Sequence, residues 1–402
     1  MSLSARIKKY LDDIRASYWF VPTILVLSAI LLAFLALTVD RHPQLSDLRP
    51  EWMTDVVSPA GARAIVSVIA QSMIGVAGVM FSITMLAVSF ASGQFGPRLI
   101  GNFMRDRGNQ YTLGILISTF TFALFVLRAI ENQEDEIAAF VPHLSIVITM
   151  GLALVSVFVM IYHVHHVPET ISASNIVAGL GQRFSRDIQT LLDGDTVAET
   201  IYASGSVDIN LRTSGYIHNI AQDKLGTIAR ENGWVIEILE APGEFMHPHR
   251  PVLRVWGASE PLPDDVSTRL RETVALGLSK TEKQNLMFVA EQLVEIVARA
   301  MSPGVNDPYT AISCIQWMEA ALSLMVRVDR ELHIFQVEGV SAKPISFDML
   351  LAQSLGGCVT YIQEDPLTRK AMLGSLTRLS DLATQTNKNA VETLAEQVKS
   401  VV

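Results

Sequence analysis

Between Arg63 and Arg98 the chain carries no charged residue, and AIVSVIAQSMIGVAGVMFSITMLAVSFASGQFGP is too long and too apolar for an ordinary globular helix. At ~1.5 Å per residue such a helix reaches about 50 Å, well beyond a ~30 Å hydrocarbon core. It reads as a membrane span that tilts, kinks near its glycines or extends into the cytoplasm. Gln71, Gly75, Gly78, Ser82, Ser89, Ser92 and Gly96 recur along it at spacings of three or four, interrupted only at Met85. That period puts them on one side of the helix, where missing bulk admits a neighbouring backbone and polar groups bond across an interface or line water. Pro97 follows Gly96 and ends the helix, because proline has no amide donor and restricts the residue before it.

A chain that enters a bilayer must also return. The start, MSLSARIKKYLDDIR, is basic and amphipathic, and it leads into an apolar run from about Tyr18 to Val39 with Tyr18 and Trp19 as interfacial anchors. We read this as an uncleaved signal anchor that leaves Arg6, Lys8, Lys9 and Arg15 inside. The proline-rich segment before Arg63 is an external spacer. The loop after the second span holds Arg98, Arg105 and Arg107 against Asp106, which places it in the cytoplasm by the positive-inside rule. A third span, about Tyr111 to Ile130, exits into ENQEDE, whose Glu131, Glu134, Asp135 and Glu136 suit an external loop. The fourth span, about Phe140 to Tyr162, returns, so both termini are expected in the cytoplasm. His163, His165 and His166 follow directly. Imidazoles so close together can bind a metal or respond to pH, but no carboxylate or thiolate completes a recognisable site. Favourable interaction with the helix dipole at the headgroup boundary accounts for them, and no metal is expected.

Hydrophobic residues make up 50% of the chain, but the excess is confined to the first part, so the average covers two different regions. A net charge of −9 and the lack of basic runs with interleaved aromatics argue against a nucleic-acid partner. Cys314 and Cys358 have no CxxC spacing and suggest neither a disulfide framework nor a thiolate metal site. The resulting division is a four-helix transmembrane domain at 1–167, a helical connector at 168–199, a small α+β cytoplasmic unit at 200–258 and a mainly helical cytoplasmic region at 264–402. Within the α+β unit, SVDINLRTSGYIHNI predicts a strand, AQDKLGTIARENG a helix ended by Gly233, and WVIEILEAPGEFMHPHRPVLRVWG two strands around a Pro-Gly turn. Pro261 and Pro263 mark a linker, after which RETVALGLSKTEKQNLMFVAEQLVEIVARAM reads as helical. Ser302, Pro303 and Gly304 halt that helix, and Asn306, Asp307 and Pro308 open the next, with Asp307 as cap and Pro308 at the first helical position. A strand near Leu332 to Val337 and helices over about Phe347 to Gln363 and Pro366 to Val398 complete the reading.

The segments FSITMLAVSFASGQFGPRLI, SGYIHNI, APGEFMHPHRPVLRV and ARAMSPGVNDPYTA together resemble DUF2254, a family of bacterial predicted membrane proteins of unknown function. The resemblance is carried most specifically by Ser89, Gln94, Gly96, Pro97 and Arg98, and by Ser302, Pro303, Gly304, Asn306, Asp307 and Pro308. Where the family pattern reads RT-x-x-QD, this chain has Lys280, Thr281, Gln284 and Asn285. The resemblance implies a four-span protein of the bacterial inner membrane with a cytoplasmic domain, and brings no activity with it.

No nucleophile with its base, phosphate-cradling loop or spaced ligand set stands out, GQRFSRD is not a P-loop, and His218, His247 and His249 read as ordinary residues near strands. No catalytic residue or cofactor is therefore expected. Two functions remain. The first is a homo-oligomeric channel or transport protein, with the second span lining a pathway for an ion and the cytoplasmic domain assembling or gating it. The second is a membrane-anchored signalling or scaffold protein, with the same side used for helix packing and the cytoplasmic domain binding a ligand or protein.

Overall fold

Hydropathy dictates the first part of the architecture. Among the described residues four helices are long and apolar enough to cross a membrane: α1 (Phe20–Arg41), α2 (Pro59–Phe95), α3 (Arg107–Ala129) and α4 (His143–Thr170). The computed structural model describes residues 17–42, 58–96, 106–131, 140–194, 204–259 and 261–400. The basic N-terminal segment, the spacer before Ser58, Pro97, Arg98, Arg105, Glu134, Asp135 and Glu136 lie outside them. The chain divides after Ser172 into two compact units.

In the first unit α2 is one unbroken helix through all its glycines. Ser58 starts it by accepting the Gly61 amide, with Pro59 in the first turn. The sequence makes this helix look central, yet the other three pack on α3, the least apolar of the four and the one with half of its apolar window buried. The reason is physical: side chains that face lipid must be apolar, whereas the helix enclosed by its neighbours can carry Asn109, Gln110, Thr112, Ser118 and Thr119 buried. Ala29, Ala33 and Ala36 of α1 form a small-residue stripe that packs with Phe122, Ala123 and Val126 of α3. Contact is so close that a methyl added at Gly114 would meet Leu25 Cδ1 at 2.6 Å and Pro22 Cα at 3.1 Å.

The fourth span is longer than its apolar run. It continues past Tyr162 and through Pro168 to Thr170, so His163, His165 and His166 lie within the helix rather than at its end. At its other end Pro142 supplies no side-chain cap. Asp40, at the end of α1 and 5% exposed, does so instead, accepting from the amides of Leu144 (3.0 Å) and Ser145 (2.9 Å) and from the Ser145 hydroxyl (2.7 Å). Beside it Arg41 pairs with Glu131 at 3.4 Å.

The second unit begins with α5 (Ala173–Leu192), an amphipathic helix whose Val177, Leu180, Phe184 and Ile188 are buried. The segment expected as a connector is thus part of a folded core. Among the described residues seven strands follow: β1 (Ser206–Asn210), β2 (Gly215–Ile220), β3 (Val235–Ile238), β4 (Phe245–Met246), β5 (Pro251–Trp256), β6 (Val274–Gly277) and β7 (Val340–Ala342), with α6 (Gln222–Asn232) and α7 (Asp264–Arg271) between them. They form two sheets, ordered β1-β5-β3-β7 and β4-β2-β6. Alternate residues of β1, β3 and β5 point into one core with Ile217, Leu225, Leu270 and Val340. Gly233 ends α6 with φ +66, a backbone that glycine adopts without penalty.

Several expectations change here. SVDINLRTSGYIHNI forms two strands rather than one. The segment expected to be helical from Arg271 first makes β6, which pairs antiparallel with β2, so the sheet continues past the Pro261/Pro263 linker. The strand expected at Leu332 to Val337 is reduced to a bridge between Leu332 and Ile345, and β7 lies further on, parallel to β3. Long-range pairing decides both outcomes, and a local apolar pattern does not contain it. The helical remainder comprises α8 (Leu286–Ala300), α9 (Pro308–Val326), α10 (Phe347–Gln353), α11 (Leu355–Ile362), α12 (Pro366–Leu382) and α13 (Gln385–Ser400). Breaks at Ser354 and at Ala383-Thr384 divide the two long helices expected there.

Candidate functional site

Successive residues of α2 turn by about 100°, so positions three and four apart share a side. Ala62, Val66, Ala70, Met73, Ala77, Met80, Thr84 and Ala91 are buried. Gln71, Gly75, Gly78, Ser82 and Ser89 lie on the opposite side and are exposed; Ser92 is half-buried. An added methyl at Gly75 or Gly78 would meet nothing within 4 Å. The side singled out from sequence is therefore the outward one, neither packed on nor enclosed by the other described spans. Ser82 returns its hydroxyl hydrogen to the Gly78 carbonyl at 2.9 Å. Gly96 departs from the group: it is buried, and its φ of 109 terminates the helix.

A second polar constellation, which the sequence reading missed, sits where α3 begins and α4 nears its end. Asp106 caps α3 by accepting the amides of Gly108 (3.4 Å) and Asn109 (3.1 Å), and its carboxylate also accepts the Nε2 hydrogen of His166 at 2.9 Å. Tyr162 stacks on the His166 ring with centroids 5.0 Å apart. One turn back, His163 is 3% exposed and its Nε2 lies 3.4 Å from the hydroxyl of Thr84 on α2. Further along, Thr119 and Ser156 join α3 to α4 at 3.0 Å. The signal was present as polar residues at helical spacing in the third span, but the longer second span drew attention from it. His165 by contrast is exposed and pairs with Glu169 at 3.2 Å.

In the second unit the 302–308 motif is a helix-to-helix turn. Ser302 donates its hydroxyl hydrogen to the Arg299 carbonyl at 2.6 Å, and Asn306 takes a left-handed backbone with φ 48. Asp307 accepts from the Thr310 amide at 3.1 Å and the Thr310 hydroxyl at 2.5 Å, and Pro308 opens α9. Pro303 and Gly304 are exposed at the tip. The capping role expected of Asp307 is the observed one.

The 280–285 segment is also accounted for locally. Lys280 pairs with Glu291 at 2.7 Å, and Asn285 caps α8 by accepting the Phe288 amide at 3.1 Å. Gln284, at φ 54, uses its amide like a strand backbone: Oε1 accepts from Ile220 N at 2.9 Å and Nε2 donates to Ile220 O at 3.2 Å. An aspartate in place of Asn285 would offer the same accepting oxygen. His218 donates to the Ser279 carbonyl at 2.6 Å. An open cleft of about 370 Å³ on the α+β part is lined by Arg212, Thr213, Thr268, Arg271 and Glu272. Among the described residues no group of three or more His, Cys, Asp or Glu is placed to hold a metal ion.

A family model described as predicted membrane protein, DUF2254, matches residues 15–378. Uncharacterized proteins of Mycobacterium bovis and Mycobacterium tuberculosis are each 28% identical over 333 residues, covering 81% of this chain and 63% of theirs. The chain thus spans less than two thirds of the length of these curated relatives. No solved structure matches it. With the family model running from before α1 into α12, the chain, which carries four long apolar helices among its described residues, belongs to the DUF2254 family of predicted membrane proteins.

Proposed function

We propose that this protein is an oligomeric inner-membrane channel or transport protein in which the outward side of α2 lies along a pathway shared by several copies. The residues after Ser172 then form a cytoplasmic domain that assembles or gates the pathway, with both termini inside. One observation carries the reading. Gln71 is exposed, has no hydrogen-bond partner among the described residues, and shares its side of α2 with Gly75, Gly78, Ser82 and Ser89. A carboxamide turned to hydrocarbon without a partner costs about 2–7 kcal/mol, so this side needs water or another copy against it. Closed symmetry around an axis provides both, and an ion is the species such a polar lining suits.

Ser82→Leu and Ser89→Leu test the proposal in reconstituted vesicles. In a pathway the leucines narrow and dewet the lumen, so ion flux falls while native mass spectrometry still finds the oligomer. In a dry interface the same leucines hold backbones apart and dissociate the assembly. Unchanged flux in an assembled mutant, or no wild-type flux across a broad panel of ions and voltages, favours the signalling or scaffold alternative.

A further inference from the structure

We propose that His163 is a proton-binding site at the junction of α2, α3 and α4. The proton assignments follow from the hydrogen-bond partners. Thr84 has one hydroxyl hydrogen and gives it to the Met80 carbonyl at 2.9 Å. Its oxygen therefore accepts at the 3.4 Å contact with His163, and Nε2 carries the ring hydrogen. In the neutral ring Nδ1 is then a bare lone pair, and it is buried without a partner.

A second buried acceptor, on α3, has the same deficit. Asn109 is 4% exposed, and its Oδ1 is buried with no donor. It follows Gly108, whose added methyl would lie 2.5 Å from Nε2 of His166, one helical turn from His163. One added hydrogen serves both acceptors: a proton from solvent binds Nδ1, and the new N–H is offered to Asn109 Oδ1, directly or through one water. No other bond forms or breaks. The positive charge then lies within electrostatic reach of Asp106, the carboxylate that caps α3 and holds His166.

Among the described residues the other ionisable groups around it are these. On its own helix are His166 and Tyr162, with His165 exposed and paired to Glu169. From α3 come Asp106 and the exposed Arg107, and ahead of α1 is Tyr18, within electrostatic reach of Asp106. From α2 the facing group is Thr84, which does not ionise. Protonation therefore alters contacts among three spans, and the inference stands whether or not α2 borders a pathway.

The test is the titration of the full chain in detergent with isotope-labelled histidine, read by NMR, with the His163 ring identified by its loss in His163→Gln. Expected is a neutral ring in the Nε2–H form that takes up one proton as the pH is lowered across the range in which the protein stays folded. Asn109→Leu is expected to move that midpoint to lower pH, because the imidazolium loses its acceptor. Thr84→Val is expected to weaken the preference for Nε2–H, and the single ring it perturbs identifies His163 should His163→Gln not fold. A His163 ring that stays neutral throughout, that rests as Nδ1–H in the wild type, or whose midpoint ignores Asn109→Leu overturns the proposal.

Discussion

Asp307 shows how much one carboxylate does in a tight turn: it accepts from both the amide and the hydroxyl of Thr310 while Asn306 takes up a left-handed backbone. Asp307→Ala is expected to destabilise the second unit by roughly 1 kcal/mol, measured by chemical unfolding, and Asp307→Asn to restore most of it. An Asn variant that is fully stable but loses a measured activity would give the carboxylate a chemical role beyond capping. Cys314 and Cys358 present the opposite case, with buried side chains. Burial pushes both thiols upward, with smaller contributions at Cys314 from Cys358 and Asp307. Thiolate is the reactive form, so neither should be alkylated at pH 8 in the native protein and both should react after denaturation. Labelling of either cysteine without unfolding would show that its surroundings open.

Glycines distinguish the spans. Gly114 on α3 is a point of close approach, with Leu25 and Pro22 of α1 against it, whereas Gly75 and Gly78 on α2 face open space. Gly114→Leu is therefore expected to force α1 and α3 apart and lower stability by about 1–3 kcal/mol or more, seen as a lower Tm in detergent. Gly78→Leu should leave the isolated protomer as stable as before and change only the oligomer population by native mass spectrometry. Equal thermal losses in the two variants would mean that α2 uses its small residues inside the protomer. The cross-helix cap belongs here too: Asp40 of α1 serves the start of α4, so these helix ends depend on each other.

The topology proposed for the whole chain, with both termini inside, is an expectation from charge placement and is open to direct test. His42, exposed at the end of α1, should accept a membrane-impermeant thiol reagent from outside intact cells as His42→Cys. Lys370, exposed on α12, should be labelled as Lys370→Cys only after permeabilisation. The reverse pattern would invert the topology. The four long apolar helices were legible from residues alone, because a run of that length and hydropathy leaves little choice of structure. The Ser58, Gly233 and Asp307 helix boundaries rest on equally local chemistry, a side chain or a backbone angle acting within a few residues. Packing was not legible in the same way. Hydropathy ranks α3 lowest of the four but does not name its partners, so its central place emerges only when Ala, Gly and polar side chains meet their neighbours. Pairing of β7 with β3, capping of α4 by Asp40 and the Thr84–His163–Asp106 junction join residues far apart in the chain. Such partners are set by complementary shape and hydrogen-bond demand once the chain has folded, and no local pattern encodes them.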